Sequence, residues 1–365
     1  MAGDRQQDAH SRAGAPRRRV LAAALAPMLA GAPTAAHARS AGTVRTRSGG
    51  LARPVPTALS DWAGVANTLG RTGDMKRNAM YHTGFPRRDL QVVSRGVIVK
   101  PALALGSHVS FVRYADDSTL VMGDVVVTEQ ELQPFSDALH EHEIQQTAIH
   151  KHLLSQTPDI WWVHLHGHGD DPLALARGVR AALDRTGTPP ELPFSPTPSQ
   201  SVDLDTRGID TALGVKGSVD DGIYKSVFVR RETITDGQVV LPPGLGSTSA
   251  FNYQPLGGGR AAISGDCAMI ASEVQDVLRA LRRAGAELVE LHNHGLTDEP
   301  RLFFTHFWVV GDGAELARAL RPAVAATNVV PAGGPAGPTA GAGAQRWFSS
   351  NTTAPRAAPP HYQTT

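Results

Sequence analysis

Residues 150–158 of the chain read HKHLLSQTP, and residues 292–300 read HNHGLTDEP. In each stretch one residue separates two histidines, and a proline ends the segment. A third histidine follows at the same spacing in both places, as His164 after the first stretch and His306 after the second. A constant offset between matching residues is the mark of an internal repeat. These stretches therefore predict a fold built from two copies of one unit.

The match extends outward from the histidines over most of the chain. Its further segments are Leu69 to Gly73 with Leu213 to Gly217, Phe85 to Arg88 with Phe228 to Arg231, Leu105 to Ser107 with Leu245 to Ser247, and Gly123-Asp124 with Gly265-Asp266. We place repeat 1 at residues 60–187 and repeat 2 at residues 204–328. The intervening residues 188–203 are rich in proline and serine, which predicts an exposed linker. Residues 329–365 are dominated by proline, glycine and alanine, which predicts a disordered tail.

Each repeat shows the same succession of extended and helical patterns. An amphipathic segment such as Glu273 to Ala284 carries apolar residues at helical spacing, between segments whose patterns predict strands. Strands and helices are mixed, without the strict alternation of a parallel doubly wound sheet. The predicted fold class is α+β, with two homologous repeats, each a mainly antiparallel sheet packed by helices.

The chain begins with the features of an export signal. The arginines from Arg17 to Arg19 precede an apolar run, and Ala36-His37-Ala38 fits a cleavage site between small residues. We predict a signal peptide at residues 1–38, of the twin-arginine or the general type, and a flexible segment at residues 39–59. The predicted location is the periplasm, the cell envelope or the secreted fraction. No integral membrane segment is predicted, because the apolar run is shorter than the roughly 20 residues that a spanning helix needs.

The composition excludes several classes of protein. The hydrophobic content of 41% allows a substantial core, and the net charge of +1 shows no basic surplus of the kind that binds nucleic acid. Aromatic residues make up 5% of the chain, too few to indicate a surface for stacking bases. Cys267 is the single cysteine, so an intrachain disulfide cannot form. The oligomeric state stays open.

The histidine stretches predict a metal site in each repeat. Because alternate residues of a strand share a face, His292, His294 and Glu290 are expected on one face of a strand, with His306 on the returning strand. Three imidazoles suit zinc, the predicted metal, with copper, iron and nickel as alternatives. The predicted metal ligands are His150, His152, His164, His166, His292, His294 and His306. The competing interpretation is that these histidines face solvent or bond to the backbone without a metal.

Carboxylates near the second triplet are candidates for catalysis. Glu290 and Glu299 are predicted to orient an imidazole or to act as a general base. Since zinc makes bound water acidic enough to serve as a nucleophile near neutral pH, hydrolysis is the simplest chemistry for such a site. The same ligands would also support an oxidation.

Other repeated residues have two interpretations each. Arg87 and Arg230 are candidates for binding an anionic ligand, but paired arginines at the start of a strand also serve as partners for acidic neighbours. Asp124 and Asp266, each following a glycine, predict a bulge or turn at a strand end, with a carboxylate directed into a site as the alternative.

The repeated motifs together resemble the LppY/LpqO-type family of exported bacterial proteins, which carry a domain of unknown function. The matching strings are Phe85-Pro86-Arg87-Arg88-Asp89-Leu90, Pro101 to Ser107, Val121-Met122-Gly123-Asp124, and His292-Asn293-His294 through Asp298-Glu299-Pro300 to His306-Phe307-Trp308. The resemblance implies a duplicated domain, export and no settled activity. The chain departs from the family pattern at Lys151, where asparagine is usual, and at Gln156, where a carboxylate is usual.

The leading hypothesis is an exported, metal-dependent enzyme of the hydrolase type that acts on a small-molecule or envelope-derived ligand. A non-catalytic metal-binding or carrier protein is the first alternative. A cell-envelope module that binds a ligand between the repeats is the second. No nucleic-acid partner is expected.

Overall fold

The computed structural model describes residues 50–191 and 201–332 of the chain. The predicted signal peptide lies outside the described residues, as do residues 39–49 of the predicted N-terminal segment, residues 192–200 of the linker and residues 333–365 of the tail. Among the described residues, no helix combines the length and the apolar character needed to cross a membrane.

Repeat 1 begins with a short 3-10 helix and ends with an α-helix. Its elements are the 3-10 helix Leu59–Trp62, α1 (Ala63–Leu69), β1 (Asp74–Lys76), β2 (Met80–Pro86), β3 (Val92–Ser94), β4 (Val97–Val99), α2 (Pro101–Ala104), β5 (Gly106–Arg113), β6 (Thr119–Thr128), α3 (Glu129–Glu141), β7 (Gln145–His150), β8 (Gln156–Thr157), β9 (Ile160–Gly169) and α4 (Pro172–Leu183).

Repeat 2 follows nearly the same order. Its elements are α5 (Thr206–Leu213), β10 (Ser218–Asp220), β11 (Ile223–Arg230), β12 (Thr235–Asp236), β13 (Val239–Val240), β14 (Thr248–Gly257), β15 (Arg260–Ile270), α6 (Val274–Arg283), β16 (Glu287–His292), β17 (Asp298–Glu299), β18 (Leu302–Asp312), α7 (Gly313–Ala325) and β19 (Val329–Pro331).

Each repeat forms one large antiparallel sheet. The strand order is β1-β2-β5-β6-β9-β7 in repeat 1 and β10-β11-β14-β15-β18-β16 in repeat 2, with β19 paired to β11. Equivalent strands thus occupy equivalent places in the two sheets. The predicted α+β class, with two repeats of mainly antiparallel sheet and helices, is confirmed.

Helices cover the outer face of each sheet, because their apolar stripes need a partner. α3 is typical: its first turn is closed by reciprocal hydrogen bonds between Thr128 and Glu131. The same helix buries Phe135 and Leu139 against the sheet, in a core shared with α1 and α4. α5, α6 and α7 enclose the corresponding core of repeat 2.

The inner faces of the two sheets pack on each other. One apolar cluster at this contact joins Met122 of repeat 1 to Leu302 of repeat 2, and another joins Trp162 to Trp308. The layers therefore follow the order helices, sheet, sheet, helices. The repeats therefore share a central core. Polar side chains on the inner face of one sheet are directed toward the other repeat.

Two predicted boundaries differ from the structure. Val329–Pro331 form β19 on the edge of β11, where the sequence predicted the start of a disordered tail. Within the predicted N-terminal segment, Ala52 makes a parallel bridge to Val239 and Pro54 an antiparallel one to Tyr114. Short segments at both positions pair with a strand elsewhere in the chain. Composition alone does not predict such pairing.

A candidate metal centre between the repeats

Six histidines come together where the inner faces of the sheets meet. His164 lies in the middle of β9 and His306 in the middle of β18, while the other four lie at or just beyond the ends of β7 and β16. Those four are His150, His152, His292 and His294. The sequence predicted one triplet in each repeat, and the structure instead joins the triplets into a single cluster.

Hydrogen bonds between the repeats hold the ends of β7 and β16 side by side. The Thr147 hydroxyl donates to the His294 carbonyl at 2.6 Å, and the Asn293 amide donates to the Thr147 carbonyl at 3.0 Å. The Lys151 backbone N–H donates to the Glu290 carboxylate at 2.7 Å. These bonds fix the two His-x-His segments against each other.

The imidazoles pair across the boundary between the repeats. Ring centroids are 3.8 Å apart for His152 and His306, and 4.0 Å apart for His164 and His294. His150 and His292 stack between these pairs, with centroids 4.1 Å apart. Each pair takes one ring from each repeat, so neither repeat forms the cluster alone.

Ring nitrogens converge closely enough to share a metal ion. One potential ligand atom from each of His150, His152 and His306 lies within 4.8 Å of the other two, and the same holds for His150, His164 and His292. The Nε2 atoms of His150 and His152 are 3.0 Å apart. Three nitrogens bound tetrahedrally about 2 Å from one ion stand about 3.3 Å apart, close to the separation of this His150–His152 pair.

Two aspartates accompany the histidines. Asp124 lies opposite His164 across the β6–β9 pair, and Asp266 lies opposite His306 across the β15–β18 pair. The Asp124 carboxylate is 3.2 Å from Nε2 of His152, and the Asp266 carboxylate is 3.9 Å from Nε2 of His294. Burial, and then the charge of Asp124, raises the pKa of Asp266 well above its ordinary value.

Several buried ring nitrogens of the cluster lack a hydrogen-bond partner among the described residues. Among the described residues, none forms a hydrogen bond with the buried Nε2 of His164, His294 or His306. The Nδ1 atom of His164 instead contacts the Gly123 carbonyl at 3.3 Å, and His306 bonds to the Gly265 backbone. Buried polar atoms are normally satisfied, and metal-binding imidazoles commonly donate their second N–H to a carbonyl. The donor set fits a metal ion.

The cluster keeps its imidazoles neutral. Burial lowers the pKa of His150, His152, His294 and His306 well below the ordinary value, and neighbouring imidazoles lower it further. For His164, burial lowers the pKa to about 4. Only the neutral ring offers a lone pair to a metal, so these rings are ready to bind an ion at neutral pH.

These pKa shifts predict that the metal-free protein loses stability in acid. The unfolded chain binds a proton at His164 below its ordinary pKa of 6.5, whereas the folded chain does so only below about 4. Stability therefore falls as the pH drops through this window, by about 3 kcal/mol for His164 alone. Urea unfolding of chelator-treated protein at about pH 7 and about pH 4.5 checks the direction. Equal stability at the two values would contradict the burial of a neutral imidazole.

His166, a predicted metal ligand, lies outside the cluster. Its Nε2 atom is 3.0 Å from the carboxylate of Asp236 in repeat 2, and that carboxylate also accepts a hydrogen bond from Thr297. The side chain follows His164 on the same face of β9, but it meets an acid instead of other imidazoles. The structure thus separates His166 from the triplets, and a metal-binding role for it stays a prediction.

The predicted catalytic glutamates occupy different places. Glu290 accepts the Lys151 N–H at the edge of the cluster, which makes it a bridge between the repeats, and burial raises its pKa. Glu299 is exposed on β17, a strand of a small separate sheet, so it does not belong to the buried site. Asp124 and Asp266 are the carboxylates at the imidazoles.

Arg87 and Arg230 are buried ion-pair partners and have no free donors directed to a ligand. Arg87 bonds to Asp89, Glu131 and the Val126 carbonyl. Arg230 makes the equivalent bonds to Glu232, Glu273 and the Ala268 carbonyl. Although burial alone would lower the pKa of both guanidinium groups, their carboxylate partners raise it. The ligand-binding prediction for these residues is not supported, and the alternative of acidic partners is what the structure contains.

The roles of Asp124 and Asp266 were only the second interpretation of the sequence. Both lie well inside long strands, β6 and β15, and not at the bulge or turn that was expected. Their recurrence at the same offset as the histidines was the available signal. The preceding glycines, Gly123 and Gly265, are small because a Cβ would approach the His108 carbonyl to 2.5 Å in one repeat and the Phe307 ring to 2.2 Å in the other.

Comparison with known families assigns the chain to a family. The profile of a family described as a Domain of Unknown Function (DUF1259) matches residues 63–185 and, a second time, residues 207–326. The chain belongs to this family. The double match agrees with the two repeats of the fold. The resemblance to the LppY/LpqO-type family stays a prediction.

Comparisons with curated proteins and solved structures add no function. No curated protein matches the chain. The trimeric bacterial microcompartment shell protein PduB is 12% identical, covers 71% of this chain and 96% of its own, and superposes with a TM-score of 0.18. EtuB from Clostridium kluyveri is 12% identical, with coverages of 70% and 89% and a TM-score of 0.17. Scores this low support no argument.

Proposed function

We propose that this protein binds a divalent metal ion at the histidine cluster between its repeats and uses it for hydrolysis of a small-molecule or envelope-derived substrate. The observation that carries the proposal is the convergence of buried imidazole nitrogens from His150, His152 and His306 within 4.8 Å. Zinc suits a nitrogen-rich set best, and copper, iron or nickel would also fit. In keeping with the predicted export signal, the proposed location of this activity is the cell envelope or the outside of the cell.

The metal ion, the histidines and the aspartates of the cluster would have different roles in hydrolysis. A bound zinc ion would supply Lewis acidity, which polarises a carbonyl and makes water more acidic. The carbonyl contacts of His164 and His306 hold these rings in orientation. Asp124 and Asp266 lie next to the imidazoles and are placed to accept a proton or to balance positive charge.

Metal analysis tests the proposal. The untagged chain, produced in zinc-containing medium, should contain at least one equivalent of metal. His306→Ala should reduce the metal content, because it removes one of the three converging rings. His140→Ala is the matched control, since His140 is exposed on α3 and distant in the fold from the cluster. Absence of metal from the native chain, even after incubation with zinc, would overturn the proposal.

The degree of enclosure favours non-catalytic metal binding as a second candidate. His150 is fully buried, and the side chains of His152 and His294 keep only 16% and 12% of their surface accessible. A site between two packed sheets admits water more readily than a large substrate. A hydrolysis panel of esters, amides and phosphoesters distinguishes the two: turnover that follows metal content supports the enzyme, and stoichiometric metal without turnover supports the carrier.

A further inference from the structure

We infer that the cluster is a two-ion centre, in which each metal ion takes ligands from both repeats. The first subsite consists of His150, His152 and His306. The second consists of their repeat-related counterparts, His292, His294 and His164. This inference rests on the proposed metal binding and adds the number of ions and the division of the ligands.

The two triplets have nearly the same geometry. In the first subsite the ring centroids are separated by 4.9, 5.4 and 3.8 Å. In the second the corresponding separations are 5.2, 5.5 and 4.0 Å. A duplicated fold that brings its own equivalent residues together builds two equivalent subsites about the axis between the repeats. The ring positions of the second triplet therefore match those of the first.

Each subsite also has its own aspartate and its own aromatic wall. The Asp124 carboxylate contacts His152, and the Asp266 carboxylate lies at the equivalent place beside His294. The ring of His152 stacks on Trp162 with centroids 4.5 Å apart, and that of His294 stacks on Phe304 at 3.4 Å. Two divalent ions between apolar layers need anionic partners, and the aspartates supply one for each.

A single ion leaves too many buried nitrogens without a partner. Zinc accepts about four protein ligands, and the cluster offers more imidazoles than that before its aspartates are counted. An ion held by His150, His164 and His292 would leave Nε2 of His294 and of His306 unbonded. Unsatisfied groups of this kind are expensive to bury. Division into two subsites gives every one of the imidazoles a role.

The two possible triplets that contain His150 share this ring, so both are filled only if its two nitrogens bind different ions. His150 takes part in the set with His152 and His306 and also in the set with His164 and His292. Assigning His150 to the first subsite frees His292 to join His294 and His164 in the second. The repeat symmetry thus selects one division of the ligands.

Metal stoichiometry and matched variants test the inference. Zinc bound per chain, measured by mass spectrometry after gel filtration, should be two in the native protein, one in His306→Ala and one in His164→Ala. The variants remove equivalent residues from opposite subsites and serve as controls for each other. One ion in the native protein, lost in both variants, would overturn the two-ion centre while leaving the proposed metal binding intact. No ion in the native protein would overturn the proposed function itself.

A measurement on the native chain avoids dependence on folded variants. Cobalt(II) should bind to two equivalents, and a magnetically coupled pair should lose part of its electron paramagnetic resonance signal once both subsites are filled. A signal that grows to one equivalent and then stops would count against the inference. Two equivalents whose signals simply add would place the second ion elsewhere and would also overturn it.

Discussion

Replacing Arg87 with alanine is expected to lower the free energy of unfolding by about 3 kcal/mol. The guanidinium is 1% exposed and holds the carboxylates of Asp89 and Glu131, whose side chains are 29% and 16% exposed. Without it, these carboxylates remain partly buried with no cation beside them, and the Val126 carbonyl loses a donor. Glu131 also accepts hydrogen bonds at the start of α3 and from Gly187 after α4, so the loss of Arg87 affects both segments.

Urea unfolding measures this effect, with the midpoint lowered and the denaturant slope unchanged. Arg88→Ala is the matched control. The Arg88 side chain is next in sequence, is 46% exposed and forms a surface ion pair with Asp221. We expect that variant to stay within about 0.5 kcal/mol of the native chain. Arg230→Ala in repeat 2 should repeat the Arg87 result, because Glu232 and Glu273 would lose the same partner. If Arg87→Ala were as harmless as Arg88→Ala, the buried ion pairs would not contribute as described.

The fold was largely predictable because its signals are local or repeated. Apolar periodicity in Glu273 to Ala284 indicates a helix wherever the segment packs, and the structure has α6 at Val274–Arg283. The repeat then doubles the information, since each element has a second example. The edge contacts of Val329–Pro331 and Ala52 depend on a strand elsewhere in the chain, and short segments carry no local sign of such a partner.

The composite nature of the site was not predictable from the hairpins alone. Strand alternation placed His292 and His294 on one strand, but β16 ends at His292 and the chain turns toward repeat 1. Which face of a sheet meets the other repeat depends on the packing of whole layers. Met122 and Leu302, which belong to one apolar cluster at that face, resemble any other buried residues in the sequence. The histidines were found by spacing, whereas their convergence required the packed structure.

Asp124→Asn and Asp266→Asn are each expected to weaken metal binding about 10–100-fold, as loss of a ligand or of a carboxylate that orients a ligand commonly does. Asparagine keeps the shape of the side chain but cannot offer a carboxylate to an ion beside His152 or His294. Competition with a chromophoric chelator measures the change. If the protein is a hydrolase, turnover should fall as well, by about 100-fold or more, because the proton acceptor is lost.

Glu299→Gln is the control for these variants, since Glu299 is exposed and lies outside the cluster. Its metal affinity should equal that of the native chain. Glu290→Gln has an intermediate expectation: the amide still accepts the Lys151 N–H, so binding should change by less than in either aspartate variant. Should Glu299→Gln release metal while Asp124→Asn retains it, the catalytic assignment made from sequence would stand, and the assignment of the aspartates to the metal centre would be wrong. The comparison therefore decides between Glu299, which is near the histidines in sequence, and the two aspartates, which are near them in space.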